Sequence, residues 1–247
     1  MEDWRARLWR DGYARFERIV PPALVQDALE AIREDLERNF EPARELEYGA
    51  RTWCPDLHGT PAITNLVWRS PFLQILDEAI GVGMIGHDGG QIAIRPAGMQ
   101  PPPVHIDGFA DPEGTNGLEP GRIYSVTALA GLFLTDLSNP FMGNFTVYPG
   151  SHRKYEEHFR KRGPQAQQEP MPEVELGEPH QLICEPGDAV LFHYLLAHTF
   201  AENRASHDRI AIYFRIWFRD IDEEGRRWHY LTHMWDGWNL GSLQPAA

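Results

Sequence analysis

The sequence predicts a mainly β fold, an antiparallel sandwich or barrel with helices laid on one outer face. Two observations lead to this prediction. Helical periodicity is confined to residues 1–85, and short apolar or alternating segments separated by turn sequences follow as far as residue 220. A length of 247 residues without an internal repeat suits a single domain, with a helical support region at 1–85, a β core at 86–220 and an aromatic-rich tail at 221–247.

Two helices and a strand are predicted before residue 41. The first helix runs from Trp4 to Arg10 and is closed by Gly12, a residue type that tolerates the left-handed conformation found just past a helix end. The segment 13–20 has the composition of a strand. The second helix begins at Pro21-Pro22, where proline fits the first turn, and its apolar residues recur at intervals of three and four. They are Val25, Leu29, Ile32, Leu36 and Phe40.

The rest of the chain alternates between turns and short elements. The segment 41–64 lacks periodicity and is expected to be mostly loop. A helix is predicted from Ser70-Pro71, a cap and a first-turn proline, to Ile80. The predicted strands are 91–95, 125–134, 144–148, 181–184, 189–192 and 209–218. The long irregular segment 162–180 is equally compatible with a lid and with a mobile surface insertion.

Composition excludes several classes of function. The formal net charge of −13 argues against a nucleic-acid partner, because a surface that neutralises phosphates must be basic. The sequence has no run of about 18 apolar residues for a bilayer and no signal-peptide pattern at its start. Cys54 and Cys184 are too few for a disulfide framework, so we expect both to be reduced and buried. These features predict a cytoplasmic protein that binds neither nucleic acid nor membrane.

The triplet His105-Ile106-Asp107 is the strongest candidate for a metal site. Side chains two apart on an extended chain share a face, so His105 and Asp107 would project together while Ile106 packs the opposite way. One imidazole and one carboxylate are one ligand short of the two-histidine, one-carboxylate triad of non-haem iron(II) oxygenases. Taken alone, a surface histidine followed by a hydrogen-bonding aspartate explains the triplet equally well.

The third ligand must come from elsewhere in the chain. His193 and His198 lie in or beside an apolar strand, and because they are five apart an unbroken strand would point only one of them at the metal. Arg209, eleven residues after His198, favours the latter. A guanidinium at the start of a buried strand needs an anion, and its planar fork suits a carboxylate. His152 is expected to be structural, and the histidines in polar segments are expected at the surface: His58, His87, His158, His180, His207 and His229.

Several short motifs follow one another in a characteristic order and spacing. They are His105-Ile106-Asp107, Gly143 leading into Pro149-Gly150-Ser151-His152, Gly187-Asp188 with Phe192-His193, and then His198, Asn203 and Arg209. In this order and spacing the chain, from about Gly12 to Phe218, resembles the phytanoyl-CoA dioxygenase family of Fe(II)- and 2-oxoglutarate-dependent oxygenases. The resemblance implies a double-stranded β-helix, a cupin-like jelly roll, with the N-terminal helices packed on the outer sheet.

The resemblance also implies an iron site and a co-substrate site. His105, Asp107 and His198 would hold Fe(II), and Arg209 would bind the distal carboxylate of 2-oxoglutarate. The reaction would consume O2 and release succinate and CO2. Related halogenases replace the carboxylate ligand with a small residue, so Asp107 indicates hydroxylation of an unactivated C–H bond, or a related two-electron oxidation, rather than halogenation.

Three further positions bear on the co-substrate. Gln91, on the strand before the triplet, could donate a hydrogen bond to 2-oxoglutarate or be an exposed strand residue. Asn203 could serve the same pocket or cap a turn. The chain departs from the family at Phe200, where many relatives carry a small hydroxyl residue two positions after the distal histidine. One hydrogen bond to the co-substrate is therefore expected to be missing.

The sequence leaves two alternatives to an oxygenase open. One is a catalytically silent jelly roll that binds a metal or small ligand, and the other is a cupin-like zinc or manganese enzyme, in which Arg209 would have no anion to bind. The expected substrate is a small organic molecule (a lipid, an acyl compound or a natural-product intermediate), and the expected assembly is a monomer or homodimer. The basic cluster at 153–162 and the aromatic tail could contact substrate, but a solvated helix face and a packed core are the commoner uses of such segments.

Overall fold

The structure, a computed structural model, describes residues 3–82, 85–86, 89–108, 127–163, 165–166 and 169–241. Two sequence predictions, the exposure of His87 and the start of the strand at 125–134, lie outside these residues. The helices are α1 Trp4–Asp11, α2 Pro22–Asn39, α3 Glu45–Ala50, α4 Pro61–Trp68, α5 Phe72–Ile80, α6 Ser151–Arg162 and α7 Arg226–Thr232. The strands are β1 Tyr13–Phe16, β2 Ile85–Gly86, β3 Gly90–Arg95, β4 Ala128–Phe133, β5 Phe145–Val147, β6 His180–Gln181, β7 Ala189–His193, β8 His198–Phe200 and β9 Arg209–Phe218.

The predicted helices α1, α2 and α5 are confirmed, with the expected signals at their ends. The Asp3 side chain accepts a hydrogen bond from the backbone of Arg5, and Gly12 ends α1 with φ of 85°. The hydroxyl of Ser70 accepts from the backbone N–H of Phe72 at the start of α5. In α2 the fully buried stripe is narrower than predicted, because Leu29 and Leu36 are only partly buried. Phe40, just past the end of the helix, is 37% exposed.

Two predictions for the N-terminal region are wrong in part. The strand expected over 13–20 stops at Phe16, because Arg18 adopts a turn with φ of 46° and donates its backbone N–H to the buried carboxylate of Asp188 at 2.7 Å. The expected loop at 41–64 contains a 3-10 turn at Pro42–Arg44, all of α3 and the start of α4. Helices of 6 and 8 residues are too short to show a periodic apolar face in the sequence.

Strand β9 is the centre of the larger sheet, which has the order β1-β7-β4-β9-β2 with β3 also paired to β9. The pairings are antiparallel: β9 lies beside β4 along one edge and beside β3 and β2 along the other. Successive side chains alternate between faces. One face of β9 therefore carries Ile210, Ile212, Phe214, Ile216 and Phe218, and the other carries Arg209, Ala211, Tyr213, Arg215 and Trp217.

The apolar face of β9 packs against the N-terminal helices. Gly90 marks this contact: a Cβ added there would lie 2.5 Å from Ile212 Cγ2 and 2.7 Å from Ile63 Cγ2, so only glycine fits between the sheet and α4. The prediction that helices cover one outer face is confirmed. None of the helices in the described part of the chain combines the length and hydrophobicity required to span a lipid bilayer.

A second sheet, of order β6-β5-β8, covers the opposite face of β9. Phe145 of β5 fills the space between the sheets, with its ring centroid 4.8 Å from Phe192, 5.6 Å from Tyr213 and 5.3 Å from His198. Two facing antiparallel sheets with helices outside confirm the predicted jelly roll. The strand predicted at 181–184 is wrong in its bounds, since β6 ends at Gln181 and Cys184 only forms an isolated bridge with Leu137.

Both cysteines are free and buried, as predicted. Burial is the main reason that the pKa of each thiol rises to about 12. Neither Cys54 nor Cys184 is therefore a reactive thiolate.

Candidate metal centre and co-substrate pocket

Backbone pairing brings the two distant histidines together. Strand β7 ends at His193, the chain turns, and β8 begins at His198. His105 pairs with His198 through both backbone hydrogen bonds, at 3.0 and 2.9 Å, and so extends the small sheet by one residue. The hydroxyl of Thr199 donates to the carbonyl of Pro102 at 2.7 Å and holds the same segment. Residues about 90 positions apart are thereby fixed side by side at one end of the jelly roll.

The three predicted ligands converge on one point. Ligand atoms of His105, Asp107 and His198 all lie within 4.8 Å of one another. Among the described residues, no other group of three or more histidine, cysteine or acidic side chains lies close enough to hold a metal ion. Nε2 of His198 is 3.8 Å from Oδ2 of Asp107. The imidazole centroids of the two histidines are 4.5 Å apart. Two nitrogens and one oxygen at these separations can share a single cation.

The orientation of both imidazoles is set by backbone carbonyls. Nδ1 of His105 lies 3.0 Å from the carbonyl of Pro103, and Nδ1 of His198 lies 2.9 Å from the carbonyl of Leu196. Because a carbonyl only accepts, each Nδ1 must carry the hydrogen, and each Nε2 is left with its lone pair. A metal-binding histidine needs this tautomer and this kind of second hydrogen bond.

The surroundings of the site favour a neutral imidazole at His198 and an ionised carboxylate at Asp107. Burial first, and the neighbouring His105 second, lower the pKa of His198 to about 4 against the opposing effect of Asp107. Burial alone would raise the pKa of Asp107, but the guanidinium of Arg215 is the main opposing charge, and the pKa is lowered. These are the protonation states in which a histidine and a carboxylate can bind a cation.

Arg215 is a site residue that the sequence analysis did not find. It lies on β9, on the same face as Arg209, and its Nη2 donates to Oδ1 of Asp107 at 3.3 Å. Its Nη1 donates to Oε1 of Gln91 at 2.9 Å, and the amide nitrogen of Gln91 donates to the carbonyl of Arg51. The sequence did contain a signal for Arg215. In a strand that begins at Arg209, the residues Tyr213 and Arg215 fall on the same face as Arg209 and so face the same pocket.

Gln91 and Asn203, the two secondary co-substrate candidates, are both engaged by the protein. Gln91 is bonded to Arg215, as described above. The amide nitrogen of Asn203 donates to the carbonyls of Arg95 at 2.8 Å and His207 at 3.0 Å, and its oxygen accepts from the backbone of Ala205 at 3.1 Å. This is the turn-capping arrangement that the sequence allowed. Their role toward a co-substrate remains a prediction.

Arg209 lies fully buried in a hollow between the two sheets. Its Nε donates to the carbonyl of Gly143 at 3.0 Å and its Nη1 to the carbonyl of Ala93 at 3.3 Å, while Nη2 has no hydrogen-bond partner in the described part of the chain. Its Cζ lies 4.2 Å from the centroid of Phe200, the position at which the family usually carries a hydroxyl. A buried cation with an unsatisfied donor is costly unless an anion binds there.

The other histidines are used differently. His193 points away from the three converging groups: its Nε2 lies 3.0 Å from the carbonyl of Met234, and its Nδ1 accepts from the backbone of Leu195 at 3.1 Å. His152 is buried with its Nε2 3.3 Å from the carbonyl of Trp9, a structural position as expected. None of the described histidines predicted at the surface is buried: His58, His158, His180, His207 and His229.

Part of the long irregular segment reaches the ligand turn. The backbone N–H of Ile106, between the two ligand candidates, lies 3.2 Å from the sulfur of Met171. Val174 and Leu176 also pack against the core, and Lys154 of α6 donates to the carbonyl of Glu175. The described part of the 162–180 segment is thus packed beside the candidate metal centre.

The fold and the site together define the class of protein. A jelly roll with two imidazoles and one carboxylate at one end, and a buried arginine behind them, has the donor set of a non-haem Fe(II) oxygenase. Residues 100–211 match the family model for phytanoyl-CoA dioxygenase, the family that the sequence motifs resemble. The matched family is one of Fe(II)- and 2-oxoglutarate-dependent oxygenases, which use O2.

Solved structures with the same fold are distant in sequence. The nogalamycin-biosynthesis epimerase SnoN, a non-haem α-ketoglutarate-dependent enzyme, is 19% identical with a TM-score of 0.58 over 87% of this chain and 81% of its own. HygX from Streptomyces hygroscopicus, solved with nickel, 2-oxoglutarate and hygromycin B, is 16% identical with a TM-score of 0.56 over 89% and 88%. Comparison with curated protein sequences gives no significant match.

Proposed function

We propose that this chain binds Fe(II) through His105, Asp107 and His198, binds the distal carboxylate of 2-oxoglutarate at Arg209, and hydroxylates an unactivated C–H bond of a small organic substrate. The observation that carries the proposal is the convergence of three ligand atoms within 4.8 Å beside a fully buried arginine. When bound, Fe(II) and 2-oxoglutarate supply an O2-dependent two-electron oxidation with release of succinate and CO2.

The protein groups have separate tasks in this scheme. The carbonyls of Pro103 and Leu196 hold the imidazoles so that Nε2 faces the metal. Arg215 keeps the carboxylate ligand ionised and fixes one of its oxygens. Arg209 binds and orients the co-substrate, which buried hydrophobic rings shield from water. The retained carboxylate at Asp107 supports hydroxylation rather than halogenation.

The proposed substrate is a small organic molecule, with natural-product intermediates as the first class to test. The fold is shared with SnoN of nogalamycin biosynthesis and with HygX, whose structure contains hygromycin B. The aromatic tail does not favour a substrate role in its described part: Trp235 and Trp238 are buried, with ring centroids 4.9 and 5.7 Å from His193. They belong to the core.

Anaerobic titration tests the metal and co-substrate sites together. Addition of Fe(II) and 2-oxoglutarate to the metal-free protein should produce the weak visible charge-transfer absorption of the chelate. His105→Ala should abolish the band, whereas His158→Ala, which removes a histidine of α6 outside the site, should preserve it. A wild-type protein that gives no band would favour the catalytically silent alternative.

A substrate screen tests the reaction. Succinate release that depends on 2-oxoglutarate and O2 should rise above the uncoupled background with a pool of natural-product intermediates, lipids and acyl-CoAs, and the product should gain one oxygen atom in mass. A chlorinated product formed in the presence of chloride would contradict the assignment of hydroxylation.

A further inference from the structure

Two arginines face each other across the strands that line the co-substrate pocket. Arg95 ends β3 and pairs directly with Arg209, the first residue of β9, so the two side chains leave the same face of the sheet. Like charges directly opposite one another destabilise a strand pair. Among the described residues, the contacts of the two guanidiniums are aromatic rings and backbone carbonyls, and neither forms an ion pair with a carboxylate that would offset this repulsion.

Both guanidiniums lie over the same aromatic ring. Cζ of Arg95 is 4.6 Å and Cζ of Arg209 is 4.2 Å from the ring centroid of Phe200. The two cations therefore share one hollow whose wall is Phe200. Burial first, and Arg209 second, lower the pKa of Arg95 to about 10, which reflects an environment unfavourable to its charge.

Three polar atoms in this hollow are buried and lack a hydrogen-bond partner among the described residues. They are Nε of Arg95, Nη2 of Arg209 and the hydroxyl oxygen of Tyr213. Tyr213 lies four residues after Arg209 on the same face of β9, and its ring centroid is 5.9 Å from Cζ of Arg209. Buried polar groups are normally satisfied, so three orphans in one place indicate a ligand that supplies acceptors.

We propose that Arg95 is a second guanidinium for the distal carboxylate of 2-oxoglutarate, and that the hydroxyl of Tyr213 replaces the one missing at Phe200. The proposal rests on the proposed function for the identity of the anion. A carboxylate offers two oxygens with about four lone-pair sites, enough for donors from both arginines and the tyrosine. Bound there, it would also offset the repulsion between the two cations.

A structural role and an anion-binding role for Arg95 predict opposite changes in the unfolding temperature of the unliganded protein when Arg95 is replaced. If Arg95 only packs on Phe200, its removal should lower the unfolding temperature and leave carboxylate binding intact. If it is one of two cations awaiting an anion, Arg95→Gln should relieve repulsion, raise the unfolding temperature without ligand and weaken carboxylate binding. The two measurements separate the interpretations.

The experiment is thermal unfolding of the metal-free full-length protein with and without 2-oxoglutarate or glutarate. Glutarate carries the same distal carboxylate but no keto group, so its binding does not depend on chelation of a metal. In the wild type both should raise the unfolding temperature, and in Arg95→Gln and Tyr213→Phe the rise should be reduced at the same concentration. The control is Arg204→Gln, an arginine stacked 4.4 Å over Phe141 outside the pocket, which should retain the full rise.

A second readout uses the iron-loaded protein. The dissociation constant of 2-oxoglutarate, from anaerobic charge-transfer titration, should increase by about tenfold to a hundredfold in Arg95→Gln, the loss expected for hydrogen bonds to a charged group. The position of the band should not change, because the chelating end of 2-oxoglutarate is untouched.

The outcomes distinguish this inference from the proposed function. An unaltered glutarate shift in Arg95→Gln, or no glutarate response in the wild type, would overturn the double-arginine site. If the wild type gives no charge-transfer band but glutarate still raises its unfolding temperature, the iron site is contradicted and the anion site is supported.

Discussion

At the scale of single residues, the candidate centre depends on how its carboxylate is held. Asp107 has two oxygens with different neighbours: Oδ2 faces Nε2 of His198 at 3.8 Å, and Oδ1 accepts from Arg215 at 3.3 Å. The arginine thus leaves one oxygen for the metal. It stabilises the ionised carboxylate without occupying the coordinating position.

Replacement of Arg215 sets two effects against each other. Arg215→Gln removes a cation near the metal, which by charge alone would tighten metal binding, and it removes the group that orients Asp107, which would weaken it. The side chain of Arg215 is 43% exposed, so solvent screens its charge and the loss of orientation should dominate. We expect metal affinity to fall by about tenfold, within the range seen when second-layer partners of ligands are removed.

Competition titration with a chromogenic chelator and Co(II) measures this change. Arg215→Lys retains the charge without the planar fork, so it should also bind more weakly than the wild type, and Arg204→Gln should bind normally. Tighter binding in Arg215→Gln would show that charge repulsion, rather than orientation, dominates.

At the scale of elements, the centre is made by attaching residues 102–105 to the edge of β8. Two backbone hydrogen bonds join His105 to His198, and the Thr199 hydroxyl adds a third contact to Pro102. Thr199→Val keeps the shape of the side chain and removes only this donor. It should cost about 1 kcal/mol of stability, and it should loosen the segment that carries two ligands.

Hydrogen exchange measures that loosening directly. The amide of His105, which donates to His198, should exchange faster in Thr199→Val, and metal affinity should fall severalfold. The matched control is Thr146→Val, since Thr146 is the cross-strand partner of Thr199 and its hydroxyl bonds to the carbonyl of Asn144 instead. Equal exchange rates in the two variants would contradict a special role for the Thr199 contact.

The sequence predicts those parts of the site whose signal is local. The two-residue spacing of His105 and Asp107 follows from strand geometry, and Arg209 at the start of an apolar strand favours His198 over His193. The resemblance then implies the roles of His198 and Arg209. Arg95 was missed because its role depends on which residue lies opposite it, and register is a property of the folded sheet. Arg215 was missed because its partner Asp107 lies more than 100 positions away in the sequence. Helices α3 and α4 were missed because each is shorter than the window in which helical periodicity can be recognised.

At the scale of the whole molecule, the C-terminal tail is joined to the core through buried neutral histidines. His193 donates from Nε2 to Met234 and accepts at Nδ1 from Leu195, so both ring nitrogens are used only in the neutral form. A proton on Nδ1 would break the second bond. Burial, reinforced by His152, lowers the pKa of His193 to about 3, and burial lowers that of His152 to about 3.

These histidines should make folding stability depend on pH. In the unfolded chain each has a pKa of about 6.5, so between that value and about pH 3 the unfolded state binds more protons than the folded state. The stabilisation is therefore complete above about pH 6.5 and falls as the pH falls through this window. For one such histidine the free energy of unfolding should fall by roughly 2 kcal/mol between pH 6.5 and 5, because each pH unit changes it by about 1.4 kcal/mol.

Urea unfolding at a series of pH values isolates this contribution. His193→Gln should lower the free energy of unfolding at neutral pH, because it removes two buried hydrogen bonds. On acidification from pH 6.5 to 5, however, its free energy of unfolding should fall by about 2 kcal/mol less than that of the wild type. The other titratable groups are the same in both proteins and cancel in the difference between the two slopes. His180→Gln, a substitution of an exposed histidine, should keep the slope of the wild type, and an unchanged slope in His193→Gln would show that His193 does not control acid stability.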